Sequence, residues 1–353
     1  MRFLPLAIAL AGVVNPGFAQ RPDPPAIVTV GTATARRGEV AFGAILVPAG
    51  VDSGYSIPVA VVHGSRPGPV LTLVAGSHGT EYASIIALAQ LIGRLDPKRI
   101  AGTVIVLPLV NVASFEQKVP HLNPIDRKNM NRFYPGNPNG TQTERASYLI
   151  TKEVVEQSDH LIDLHGGDLD ESLRPYSYWT VTGNAAQDSV SKAMVLAFGL
   201  DHIIISTERP RDPAASRYLE NTATTRGKPS ITVEAGYAGT VMPADVDALI
   251  NGCLNVMGLL KMIERPVRPV ARPIWIGKLV TVTSDSSGIF YPAAERDQRV
   301  AAGARLGYVT DYLGRKLFDV TAPEAGLILY LNALPTIVKG GTIASLGVSA
   351  KAP

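Results

Sequence analysis

Between Val70 and Ala75 the chain reads Val-Leu-Thr-Leu-Val-Ala, an almost unbroken apolar run of one strand's length that stops at the turn-like Gly76-Ser77-His78-Gly79. From Tyr82 to Leu95 the apolar positions take helical spacing. The exchange recurs downstream. A strand is expected over 103–110, a long polar loop over 111–140, a helix over 143–157 and a strand over 160–164 that runs into Gly166-Gly167. A further helix and strand follow across 185–205, then a strand over 230–233, while 27–62 reads as short strands broken by glycines. This alternation predicts an α/β fold, with βαβ units building a mixed or parallel sheet covered by helices on both faces. In such sheets chemistry gathers where strands end.

A helix expected over 243–263 closes this unit, residues 27–264. The prolines of 265–273 then block both helix and central strand, so the segment reads as a linker. Beyond it, 274–353 shows short β segments punctuated by glycine, such as Ser287-Gly288-Ile289-Phe290 and Lys339-Gly340-Gly341, which predicts a small all-β domain. Its glycine turns resemble the barrel-sandwich hybrid of biotinyl and lipoyl carriers. No carrier lysine stands in a matching context, which favours a structural or gating cap on the first domain.

The chain has 353 residues, 46% of them hydrophobic and 18% charged, ample material for a large core. Arg2, the apolar stretch Phe3 to Val14 and the small residues around Gly17-Phe18-Ala19 form a secretory signal pattern over 1–19, so export to the periplasm or the medium is expected. No later run has the ~20 apolar residues of a membrane span. A formal charge of +3 with scattered Lys and Arg argues against nucleic acid as a partner. Cys253 is the sole cysteine, without an internal disulfide partner, and reads as a core residue.

His78 and Glu81 lie three apart where a strand turns into a helix, a junction that can aim both side chains at one point. His165 ends the strand Leu161-Ile162-Asp163-Leu164 and is followed by two glycines that leave room for a ligand, so it fits as the third member of the set. Two imidazoles and a carboxylate suit a catalytic zinc whose fourth position is left to water. Asp163, on the same strand face as His165, is a candidate to orient it.

These residues sit inside Gly76-Ser77-His78-Gly79-Thr80-Glu81. After that segment come Asn123-Pro124-Ile125-Asp126-Arg127-Lys128-Asn129-Met130-Asn131-Arg132-Phe133-Tyr134-Pro135-Gly136, then Asp163-Leu164-His165-Gly166-Gly167, and Ile231-Thr232-Val233-Glu234-Ala235-Gly236. In this order the motifs resemble the succinylglutamate desuccinylase/aspartoacylase family, relatives of the zinc carboxypeptidases, closely from Val70 to Gly236 and loosely beyond. The resemblance implies a carboxypeptidase-like mixed sheet and one Zn2+ per chain on His78, Glu81 and His165. It also implies Glu234 as the general base, with Asn131 and Arg132 gripping a substrate carboxylate. Many relatives carry a further arginine upstream that polarises the scissile carbonyl. Here the comparable stretch is Glu116-Gln117-Lys118, which leaves Lys118 or Arg127 as replacements.

The expected reaction is hydrolysis of an N-acyl amino acid or similar small amide bearing a carboxylate, by metal-activated water. A metallocarboxypeptidase or peptide amidase, an esterase with the same machinery, and a metal- or ligand-binding protein without catalysis are the alternatives. Retention of Glu234 beside all three ligands argues against the last.

Overall fold

The computed structural model describes residues 25–353, and the signal segment expected at 1–19 lies outside them. A hairpin of β1 (Ile27–Val30) and β2 (Ala33–Arg36) precedes β3 (Glu39–Val47), β4 (Tyr55–His63) and β5 (Arg66–Ala75). Next come α1 (Tyr82–Ile92), β6 (Ala101–Leu107), α2 (Val112–Gln117), α3 (Gln142–Ile150) and β7 (His160–His165). They are followed by β8 (Glu171–Leu173), β9 (Tyr176–Thr180), α4 (Ala185–Phe198), β10 (His202–Ser206), α5 (Leu219–Thr224), β11 (Ser230–Glu234) and α6 (Pro243–Leu259). The remaining strands are β12 (Ile274–Thr283), β13 (Gly288–Pro292), β14 (Arg299–Val300), β15 (Arg305–Thr310), β16 (Lys316–Thr321), β17 (Gly326–Asn332), β18 (Thr336–Ile337) and β19 (Thr342–Ser349).

The central sheet has the order β3-β4-β6-β5-β7-β11-β9-β10-β12 and continues into β19-β17-β14. Strands β6, β5, β7 and β11 run parallel, and β9 enters antiparallel to β11. Side chains alternate across the sheet. Leu71, Leu73 and Ala75 of β5 therefore join Leu88, Met194 and Leu249 of α1, α4 and α6 in one core, whereas Val74 joins Ile150, Leu219 and Val28 of α3, α5 and the hairpin in the other. Helices thus cover both faces, as the apolar pattern implied. Cys253 is fully buried on α6, and among the described residues no helix is long and apolar enough to cross a membrane.

Some local expectations are corrected. The loop over 111–140 contains α2, begun by Asn111 whose side chain accepts from Ser114 N, and a single 3-10 turn at Met130–Arg132. The expected helix over 143–157 is α3 followed by a π-helical turn, Thr151–Val155. Strands β8 and β9 escaped the sequence reading because they are short and their hydrogen-bond partners are distant in sequence.

The C-terminal unit is β-rich as expected, with β16-β15-β13-β18 forming a separate antiparallel sheet. Its first strand is nevertheless shared. Ile274–Ile276 pairs in parallel with His202–Ile204 of β10, and the rest of β12 pairs with β19. The boundary expected at 274 therefore falls inside the central sheet, where Trp275 and Ile276 are buried. A further join lies beside the strand ends: β8 pairs with β17, Glu171 opposite Asn332, and Arg296 donates to the carbonyls of Leu173 and Gly236.

Candidate active site

The C-terminal ends of three parallel neighbours, β5, β7 and β11, deliver the candidate residues. Ala75 ends β5 and opens the turn carrying His78 and Glu81, His165 ends β7, and Glu234 ends β11 directly opposite His165. Space beyond β7 depends on two glycines. Gly166 and Gly167 have φ of +124° and +71°, and a Cβ on either would stand 2.4 and 2.2 Å from the backbone nitrogens of Ala235 and Tyr237.

Glu81 lies at the centre of the ligand set. Its Oε1 is 2.6 Å from His78 Nδ1, its Oε2 is 2.9 Å from His165 Nδ1, and the candidate ligand atoms of the three residues lie within 4.8 Å of one another. Outer nitrogens are held separately. His78 Nε2 meets Asn129 Oδ1 at 3.1 Å, and His165 Nε2 lies 3.1 Å from both Asp163 Oδ1 and Asn131 Nδ2. Fixing the outer nitrogen turns the inner one toward a metal. Two inward nitrogens and one carboxylate, with Glu81 and His165 almost wholly buried, fit a tetrahedral divalent ion that keeps one position open.

Charge in the site follows from burial and proximity. Burial alone would raise the Glu81 carboxyl, but His165 and His78 hold it well below the usual carboxylate range. Glu234 shows the opposite balance. Burial and the neighbouring Glu81, Glu171 and Asp163 push it well above that range, against the pull of His165. Glu171 is likewise pushed up to about 7 by burial and by Glu81. A pocket crowded with carboxylates beside two inward imidazoles is electrostatically suited to a divalent cation.

Residues 67–260 match the Succinylglutamate desuccinylase/Aspartoacylase catalytic domain. The chain belongs to this family. Among its relatives, the N-alpha-acetyl-L-2,4-diaminobutyric acid deacetylase of Halomonas elongata is 30% identical over 226 residues, which span 64% of this chain and 61% of that protein. The family fold extends past the matched domain. A succinylglutamate desuccinylase/aspartoacylase from Rhodobacter sphaeroides superposes with a TM-score of 0.78 at 22% identity, over 89% of this chain and 96% of that one. The product-bound ectoine utilization protein EutE (DoeB) from Ruegeria pomeroyi gives 0.78 at 23% identity, over 88% and 95%. Family relatives with assigned chemistry are deacylating hydrolases of amide bonds.

The other positions carried over from the family divide. Asn131 is buried and engaged, its Oδ1 accepting from Leu219 N at 2.8 Å and its Nδ2 facing His165, so it braces the cluster. Arg132 is exposed, donates to Asn131 O and stacks over Tyr218, with 4.7 Å from guanidinium carbon to ring centroid. Lys118 and Arg127 are both exposed with left-handed φ. Two contacts were invisible in the sequence. Arg209 stacks on Tyr218 at 3.8 Å, so that ring meets a second guanidinium besides Arg132, and nothing in the local string Glu208-Arg209-Pro210-Arg211 signals it. His121 packs edge-on against His78 with ring centroids 5.6 Å apart. Asn129, the partner of His78, had one signal: its place in Asn129-Met130-Asn131.

A second grouping of possible ligand atoms, His78, His121 and Asp168, is spoken for otherwise. Asp168 accepts from Thr80 Oγ1, Leu169 N and His121 N, and stands 3.1 Å from His121 Nδ1, while His78 Nδ1 faces Glu81. Asp168 is thus a structural anchor joining the His78–Glu81 turn to the segment that follows β7.

Glu220, fully buried on α5, is pushed up to about 7 by burial, with Arg209 offsetting part of the effect. A carboxyl raised on folding binds more protons in the native state than in the unfolded chain between about pH 4.5 and 7. Its contribution to stability therefore falls as pH rises through that window, by about 3 kcal/mol in all. Glu220→Gln is expected to flatten the decline between pH 5 and 8, read by urea unfolding across pH; a variant as steep as the parent would reject this assignment.

Proposed function

We propose that this chain is an exported zinc-dependent deacylase that hydrolyses the amide bond of a small N-acyl amino acid. The observation that carries the reading is the pairing of β7 with β11, which sets Glu234 opposite His165 at the edge of the His78, Glu81 and His165 cluster. Those three residues would hold one zinc ion, which supplies a Lewis acid and lowers the pKa of water. Glu234 takes a proton from the water that adds to the carbonyl carbon and delivers it to the amine nitrogen as the carbon–nitrogen bond breaks. Its raised affinity for a proton suits that exchange. No covalent enzyme intermediate is needed.

Arg132 and Arg209, on Tyr218, form the site for the substrate carboxylate, because a guanidinium fork matches a carboxylate bidentately. Arg132→Ala is expected to raise KM by about 10- to 100-fold, the worth of a charge-assisted hydrogen bond, with a smaller change in kcat. Equal KM values in steady-state kinetics would remove Arg132 from the binding site. A small substrate, in preference to a peptide, is supported by the C-terminal unit at the rim, where β8 pairs with β17 and Arg296 reaches Leu173 and Gly236. Export rests on the pattern at 1–19 and predicts a mature chain starting at Gln20.

The test is metal analysis of the purified mature chain, with a panel of N-acyl amino acids that includes N-alpha-acetyl-2,4-diaminobutyrate, and short peptides for comparison. One zinc per chain with cleavage of an acyl amino acid is the expected result. A metal-free protein, or one acting only on peptides, overturns the reading.

A further inference from the structure

A cavity of about 270 Å³ lies between the end of β9, the first turn of α4, α5 and the loop that follows β10. None of His78, Glu81, His165 and Glu234 lines it. Strand register sets its distance from the reacting centre. Glu234 stands opposite Tyr176 at the start of β9, and β9 runs antiparallel to β11. Thr180, in the cavity wall, is therefore four residues along the strand from that level, roughly 13 Å at about 3.3 Å per residue.

Two arginines, Arg209 and Arg211, line the cavity, and among the described residues in its wall none is acidic. The wall also takes in Asn184 and Gln187, from the cap and first turn of the 14-residue α4, whose N-terminal end carries partial positive charge. Two polar atoms of lining residues have no hydrogen-bond partner: Arg209 Nε, and the Oδ1 of Asn221, a residue only 1% exposed. The Asn221 amide has one possible orientation. Its Nδ2 donates to Pro210 O at 3.1 Å, a carbonyl that can only accept, and to Thr224 Oγ1 at 3.3 Å, and both of those residues line the cavity as well. Oδ1 is thereby left as a buried acceptor, and native proteins rarely leave such atoms unpaired. An unpaired donor and an unpaired acceptor beside two cations match a small oxyanion that carries an O–H or N–H group of its own.

We propose that this cavity is a binding site for such an oxyanion, a hydrogen phosphate or the zwitterion of a free amino acid. The oxyanion oxygens accept from Arg209 Nε and the Arg211 guanidinium, and the ligand's O–H or N–H donates to Asn221 Oδ1. Arg209 also stacks on Tyr218, whereas neither Tyr218 nor Arg132 lines the cavity. The site therefore adjoins the one proposed for the substrate carboxylate without coinciding with it, and it does not depend on the deacylase reading.

Calorimetric titration of the purified chain at neutral pH with inorganic phosphate and, separately, with glycine is expected to show a saturable site for at least one probe, with Kd below about 1 mM. The probe that titrates identifies which kind of oxyanion the cavity takes. Asn184→Asp keeps a residue that caps a helix as well as asparagine does and adds negative charge to the wall. Arg211→Gln removes a cation from an exposed position. Each change is expected to weaken binding at least about tenfold, the worth of one charge-assisted hydrogen bond, with Tm unchanged, while Arg132→Ala binds as the parent does. Three results would each overturn the proposal. They are no binding of either probe in that range, parental affinity in Arg211→Gln or in a folded Asn184→Asp, and binding lost in Arg132→Ala, which would put the ion at the substrate-carboxylate site instead.

Discussion

Glu234→Gln is expected to lower kcat by about three orders of magnitude while zinc stays bound at one per chain. Glutamine keeps the shape of the side chain and loses the ability to take and return a proton, a role worth roughly 10²- to 10⁴-fold. Zinc is expected to remain because the candidate ligand set of His78, Glu81 and His165 does not include Glu234. Stability supplies an independent readout. Burial and the nearby Glu81, Glu171 and Asp163 disfavour the ionised carboxylate of Glu234, so folding of the metal-free protein carries the cost of protonating or burying it, a cost that glutamine lacks. The variant should therefore have a Tm equal to or above the parent's at neutral pH. Kinetics, metal analysis and calorimetry together check this. A variant within about tenfold of parental kcat would remove Glu234 from the proton-transfer step, and a variant that loses zinc would make it a support of the ligands.

The second large effect concerns the metal ligands. Chelation of the purified protein is expected to abolish turnover and lower Tm, and stoichiometric zinc should restore both. Ligand binding to the native state alone stabilises by about 4 kcal/mol at a thousandfold excess over Kd, a large share of the 5–15 kcal/mol typical of a folded domain. His165→Ala should lose both effects and also weaken the metal-free protein. In that state His165 pairs with buried Glu81 at 2.9 Å, its pKa held well above the usual histidine range by Asp163 and Glu81 against the effect of burial. Removing one partner of such a pair strands a buried charge, at a cost of about 3–5 kcal/mol. Urea unfolding of metal-free parent and variant checks the number. Equal stabilities would show that the Glu81–His165 contact carries no weight without metal.

Much of the site was legible before the fold. His78, Glu81, His165 and Glu234 each end or follow an apolar strand, and β5, β7 and β11 lie within one or two residues of their expected spans at the ends that carry the site. Their convergence follows from adjacent parallel strands delivering their ends to one edge. Asp163, expected beside His165 from strand alternation, stands 3.1 Å from its ring. Asn131, expected at the substrate, faces His165 and the backbone of Leu219, folded inward by the turn at Met130–Arg132.

The amino-acid sequence by itself determined the α/β class, the strand ends that bear the candidate ligands and the β-rich character of the tail. Those features are written in local periodicity, which records which face of each element must leave water. Only the tertiary structure decided that His121 packs against His78, that Arg209 and Arg132 both stack on Tyr218, and that β12 and β19 carry the central sheet into the C-terminal unit. These contacts join segments far apart in the chain through buried partners such as Asp168 and through strand register. No periodicity encodes them, because the energy that selects them arises only when the distant surfaces are buried together.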